Sequence, residues 1–148
     1  MSDSKDLLRA PFELAYNYKR SNGPVMSKFF DALEEQKILG TKSSTGKVFS
    51  PAAEFDPDTH ESLKEMVEVG PGGSVESYSW IEAPQHHHLI KEPFAFALIK
   101  LDGADSSMLH MIADCNEEDL RIGTRVTAAW SETSEKRITD IKFFTLEK

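Results

Sequence analysis

Three consecutive imidazoles, His86, His87 and His88, are the most conspicuous chemical feature of the chain. In an extended segment alternate side chains share a face, so His86 and His88 would point together, as two metal ligands do. The run lies between Pro84 and Pro93 with no cysteine nearby, and His60 and His110 stand at no motif spacing from it. A loop that meets substrate or another protein is therefore the stronger expectation than a metal site. Asp56, Asp58 and Glu61 resemble a fragment of a calcium loop, but Pro57 intervenes, and the required glycine and distal bidentate glutamate are misplaced. A capped turn accounts for them. Cys115, the single thiol, sits among Asp114, Glu117, Glu118 and Asp119, whose charges disfavour a thiolate. With no Gly-x-Ser-x-Gly elbow either, the chain offers no activated nucleophile, and no catalytic residue is expected. Gly70-Pro71-Gly72-Gly73 precedes a strand pattern, whereas a phosphate-cradling glycine loop opens a helix, so it reads as a turn.

The elements that position these residues belong to one domain with a small appended element, since 148 residues leave no room for two full domains. From Ser21-Asn22-Gly23-Pro24, with its cap candidate and early proline, a helix runs toward Leu39 with Gly40 as its stop. Val25, Met26, Phe29, Phe30 and Leu33 form its apolar stripe. A weaker helical face, Phe12 and Tyr16 with Leu14 and Ala15, falls in 11–19. Residues 41–60 are turn-rich, and two short hairpin arms, 41–47 and 48–55, are the most that length allows. Five strands follow, at 73–83, 94–101, 108–113, 125–130 and 141–146, with an Asp102-Gly103 turn and a helix-capable connection at 116–120. Five strands in about eighty residues have the dimensions of an OB-fold.

The net charge is -8, and the first 51 residues carry a positive balance of only two. A polyphosphate partner needs a basic stripe, so nucleic acid is a poor default partner. Tyr78, Trp80, Phe94, Phe96 and Trp130 could stack on bases, which keeps a single-strand-binding OB module as the alternative. Glu76 and Glu82 flank the first two, however, with no lysine or arginine beside them. The longest apolar run, 94–99, is too short to cross a bilayer. One cysteine and an opening MSDSKDLL without an apolar signal point to a cytoplasmic protein.

Taken in order, several short pieces resemble a known family. They are Tyr18-Lys-Arg-Ser-Asn-Gly-Pro-Val25, Phe29-Phe30-Asp-Ala-Leu33, Lys37-Ile-Leu-Gly40, Gly46-Lys-Val48 and Ser50-Pro51. Val67-Glu-Val-Gly70, Gly73-Ser-Val75, the run from Pro93 to Ala104 and Arg121-Ile-Gly-Thr-Arg-Val126 complete the set. The chain resembles the acyl-CoA-associated zinc-ribbon plus OB-fold proteins, long labelled a domain of unknown function, which accompany thiolase-like enzymes. The resemblance implies N-terminal helices over 1–40, a ribbon element over 41–65 and an OB-fold domain over 66–148, in a mainly β chain. It also implies two Cys-x-x-Cys knuckles, but Lys42, Thr45, Asp56 and Thr59 stand at those positions, so a degenerate, metal-free ribbon is expected. By the same resemblance the chain is an accessory subunit in a hetero-oligomer with a thiolase-like protein. It would bind no cofactor itself, and a coenzyme A thioester would be the substrate of the complex. Candidate residues for the partner interface are Phe29, Phe30, His86, His87 and His88.

Overall fold

The computed structural model describes residues 9–148. The part of the expected N-terminal helical region that falls on residues 1–8 lies outside them. Among the described residues one α-helix forms, α1 (Gly23–Glu34), with proline in its first turn and Val25, Phe29 and Leu33 buried at a spacing of four. It is shorter than the sequence suggests. Gln36 adopts φ 57°, which ends the helix, and the chain turns at once into β1 (Ile38–Lys42). Gly40 is thus a strand residue and not a helix stop. A Cβ there would lie 2.7 Å from the Phe49 carbonyl oxygen, so glycine lets β2 (Val48–Phe49) cross closely. The expected helical face at 11–19 is also absent: residues 9–22 carry no regular structure, and Phe12, Leu14, Tyr16 and Tyr18 are exposed. Their every-second-residue spacing suits an extended chain better than a helix.

β1 pairs antiparallel with β2 and with β3 (Glu65–Val69), giving a three-stranded sheet in the order β2-β1-β3. The barrel follows: β4 (Gly72–Ile81), β5 (Phe94–Leu101), β6 (Ser107–Ile112), β7 (Arg125–Trp130) and β8 (Ile141–Leu146), closed in the order β4-β5-β6-β8-β7. β5 buries Ala95, Ala97, Ile99 and Leu101 and turns Phe96, Leu98 and Lys100 outward, as the pleat requires. β6 is paired with β5 along its length, but it meets β8 at the single pair Ile112 and Phe144. Arg125 on β7 grips both carboxylate oxygens of Asp102 (2.7 and 2.6 Å) and reaches Glu147 (2.8 Å), tying the β5–β6 turn to the end of β8.

Helix, small sheet and barrel share one core: Phe29 and Leu33 from α1, Ile38 and Val69 from the sheet, and Ile99, Val126 and Phe144 from the barrel. Burying each such side chain contributes roughly 1.5–3 kcal/mol, so the small sheet is held largely by this shared core.

Candidate functional site

The register of β5 and β6 places Phe96 opposite Met111 and Leu98 opposite Leu109 on the outer face of the barrel. Leu109 is 64% exposed, an unusual state for a strand leucine with apolar neighbours. The loop between β4 and β5 folds toward this face. His88 stacks edge-on against Phe94 and Phe96, at 5.4 and 5.9 Å between ring centres, while Gln85 N–H donates to its Nδ1 (3.0 Å). The Lys91 ammonium fastens the loop by donating to the carbonyls of His86 (2.9 Å) and His88 (2.6 Å). Desolvation, helped by the charges of His87, Lys91 and His86, pushes the His88 pKa down. Between this loop and Ile138 and Thr139 lies an apolar groove of about 370 Å³, with His87, His88, Leu89, Phe96, Leu109 and Met111 on its walls.

His110 also lines the groove but is almost fully buried. Met111 N–H donates to its Nδ1 (2.9 Å), so the ring proton sits on Nε2, 3.4 Å from the Ile138 carbonyl. Burial pushes its pKa down despite these bonds. The unfolded chain therefore takes up this proton more readily, and the associated stability is complete above about pH 6.5 and is lost as pH falls through the lowered value. Urea unfolding between pH 8 and 5 is expected to show His110→Gln losing less stability than the unsubstituted chain. The difference is at most about 1.4 kcal/mol per pH unit. Equal slopes would show that His110 takes up its proton as readily in the fold as in the unfolded chain.

Of the helix stripe, Phe29 does not belong to a surface: it is 1% exposed and points into the core. Phe30 is half-buried and lies in a shallow recess with Asn22, Lys136, Arg137 and Ile138. Ile138 lines both recess and groove, so the two hollows adjoin at this residue. His86 stands at the outer end of the loop, its ring against His87. Sequence reasoning missed Leu98, Leu109 and Ile138 here. For Leu98 alone a signal was present, in the uninterrupted apolar run of β5, which marks a strand covered on both faces.

A second recess, of about 460 Å³, is walled by Glu82, Glu92, Asp114, Glu117 and Glu118 around Trp80 and Cys115. Burial first, then Asp119 and Asp114, push the Cys115 thiol up, the reverse of what a nucleophile needs. The Trp80 Nε1–H donates to Glu82 (2.8 Å), and the Tyr78 hydroxyl donates to the Leu120 carbonyl (3.1 Å). This wall repels polyanions.

The residues at the four knuckle positions do not fit a zinc ion. Lys42 presents an ammonium, the Thr45 hydroxyl bonds the Ser43 hydroxyl (2.6 Å), and Asp56 Oδ1 is taken by the N–H groups of Asp58 (2.7 Å) and Thr59 (3.0 Å). Among the described residues no three His, Cys, Asp or Glu side chains converge as a metal site. No helix among them is long and apolar enough to cross a membrane.

The architecture is that of an OB-fold-like barrel with an N-terminal helix and a small sheet, presenting an apolar groove on the barrel wall. Residues 66–131 match the family described as ChsH2, C-terminal OB-fold domain. A DUF35-family protein of unknown function from Sulfolobus solfataricus has a similar structure, with a TM-score of 0.64 at 20% identity, over 84% of this chain and 87% of that one. The Ltp2-ChsH2(DUF35) aldolase is similar with a TM-score of 0.63 at 16% identity, over 86% and 98%. At these identities the likeness is one of fold. No curated protein sequence matches the chain.

Proposed function

We propose that this chain is a non-catalytic accessory subunit that docks on a thiolase-like enzyme and helps bind or enclose its acyl-CoA substrate. The complex would carry out condensation, retro-Claisen or retro-aldol cleavage, or acyl transfer, with the partner supplying the nucleophile. The observation that carries the reading is the apolar groove of Phe96, Leu109, Met111 and Ile138 beside His87 and His88, uncovered in the chain alone, with the Phe30 recess adjoining it at Ile138. Exposed apolar faces of this kind mark protein interfaces. The likeness in fold to a protein named as part of an aldolase supports the same direction. Because the acidic recess repels phosphates, the nucleotide end of coenzyme A belongs on the partner's side, and the hetero-oligomer would work in the cytoplasm.

The test is a pull-down from the source cell, followed by titration of the thiolase-like protein expected among what it recovers. Leu109→Asp, placed in the centre of the face, is expected to weaken association about thirtyfold or more, the effect of losing an anchor residue of about 2 kcal/mol. Unchanged association would remove the face from the interface. The alternative, a module for single-stranded nucleic acid, predicts instead salt-sensitive submicromolar binding of oligothymidylate. The acidic balance argues against it.

A further inference from the structure

The loops at 43–47 and 56–61 occupy the place where the family resemblance expects a metal, yet the donors present do not suit one. We propose that an internal charge clasp, made by the Lys47 ammonium on Asp58 and by Ser44 on Glu61 with the buried Asp56 carboxylate shaping the second loop, holds these two loops together in place of a metal ion.

Three sets of contacts support the clasp. Asp56 is 1% exposed, and its Oδ1 accepts the N–H groups of Asp58 and Thr59, closing the second loop on itself. The same loop is closed again where His60 N–H donates to the Asp56 carbonyl (2.9 Å). Across the gap, Lys47 Nζ lies 2.6 Å from Asp58 Oδ2, while the N–H and hydroxyl of Ser44 both donate to Glu61 Oε1 at 2.8 Å. Every bond between the loops therefore runs from a donor on the first to a carboxylate on the second. Toward the barrel, Val48 N–H donates to Asp105 (2.8 Å), so the clasp is anchored at its base.

Electrostatics decides where the weight lies. The pair of Lys47 and Asp58 is more than half exposed, and alone such pairs contribute about 0–1 kcal/mol. Asp56 differs because it is out of water. Its Oδ2 has no hydrogen-bond partner, so an uncompensated charge there would be costly. Burial would push this carboxyl up, but the N–H groups of Thr59 and Asp58 and the Lys47 charge outweigh it and hold it below the usual range. Lys47 in turn is raised by Asp58 first, then by Asp56 and Asp105. The ammonium thus supplies to a group of carboxylates the positive charge that a metal supplies to thiolates.

The experiment uses the full chain. After growth in zinc-supplemented medium and desalting, it is expected to hold far less than one zinc per chain, with a melting temperature that EDTA leaves unchanged. In hydrogen exchange, Asp56→Ala is expected to speed the amides of Asp58 and Thr59 at least tenfold while those of Ile99 and Val126 stay protected. Lys47→Met is expected to speed the same loop amides, and Lys47→Arg to restore their protection. A melting temperature that falls with EDTA and recovers with zinc overturns the proposal. So does unchanged loop exchange in Asp56→Ala or Lys47→Met. Should Asp56→Ala fail to fold, Asp56→Asn, which keeps an acceptor and loses the charge, is read at the same two amides with the same criteria.

Discussion

Phe29→Ala is expected to lower the unfolding free energy by about 3–5 kcal/mol, while Phe30→Ala, one position along and only half-buried, costs clearly less. The two rings touch edge-on with centres 5.4 Å apart, yet they face different surroundings. Phe29 is enclosed by the core that α1 shares with the small sheet and the barrel, so its removal leaves a cavity among residues from all three. Phe30 lines the recess beside Ile138 and packs only in part against that core, so its loss leaves a smaller gap. Urea titration of both variants, with a binding assay against the thiolase-like subunit, separates the roles. A stable Phe29→Ala that no longer associates would place Phe29 at the interface after all, and a Phe30→Ala as destabilised as Phe29→Ala, with full association, would return the whole stripe to the core.

The next largest effect is expected at Gly73. Added to this position on β4, a Cβ would come within 2.6 Å of the Lys100 carbonyl oxygen and 3.0 Å of the Leu101 Cα, both backbone atoms. Flexible side chains could yield at such distances, but a paired strand cannot. β4 is hydrogen-bonded here on both sides, to β5 through Leu101 and to β7 through Val126. Gly73→Ala must therefore spread the barrel at its closure, and a loss of about 2–3 kcal/mol is expected, near the top of the usual range for overpacking. Thermal unfolding checks it. A melting temperature within a degree of the parent would show that the closure is loose enough to accept a methyl group.

The barrel was the legible part. β5, β7 and β8 fall where alternation places them, and β4 and β6 differ by one or two residues, because Gly-Pro turns and branched or aromatic residues delimit them. The small sheet was far less so. β1 hides in the tail of a helical pattern, since Lys37, Ile38 and Leu39 continue the spacing of α1 and only the left-handed Gln36 breaks it. β3 reads Glu-Met-Val-Glu-Val, and its strand character comes from pairing with β1 rather than from local preference. At the candidate site, the histidine loop and Phe30 stood out by residue type. Ile138, where the two hollows adjoin, could not be found, because proximity across the fold leaves no local trace in a sequence.

The single residue pair between β6 and β8 sets the order in which this molecule opens. Hairpins β4–β5, β5–β6 and β7–β8 connect neighbours in the chain and are paired along most of their length, so they close at less entropic cost than a pairing of strands distant in sequence. Where β6 meets β8, one pair spans the junction, supported by the Ala113 N–H donating to Phe144 (3.0 Å). Sub-global fluctuations should begin there, with β7 and β8 swinging as one leaf while the β4–β5–β6 meander stays folded. Leu109 and Met111 lie on β6, beside that junction. A subunit seated on them would act as a splint, slowing the breathing of the whole barrel without touching its interior.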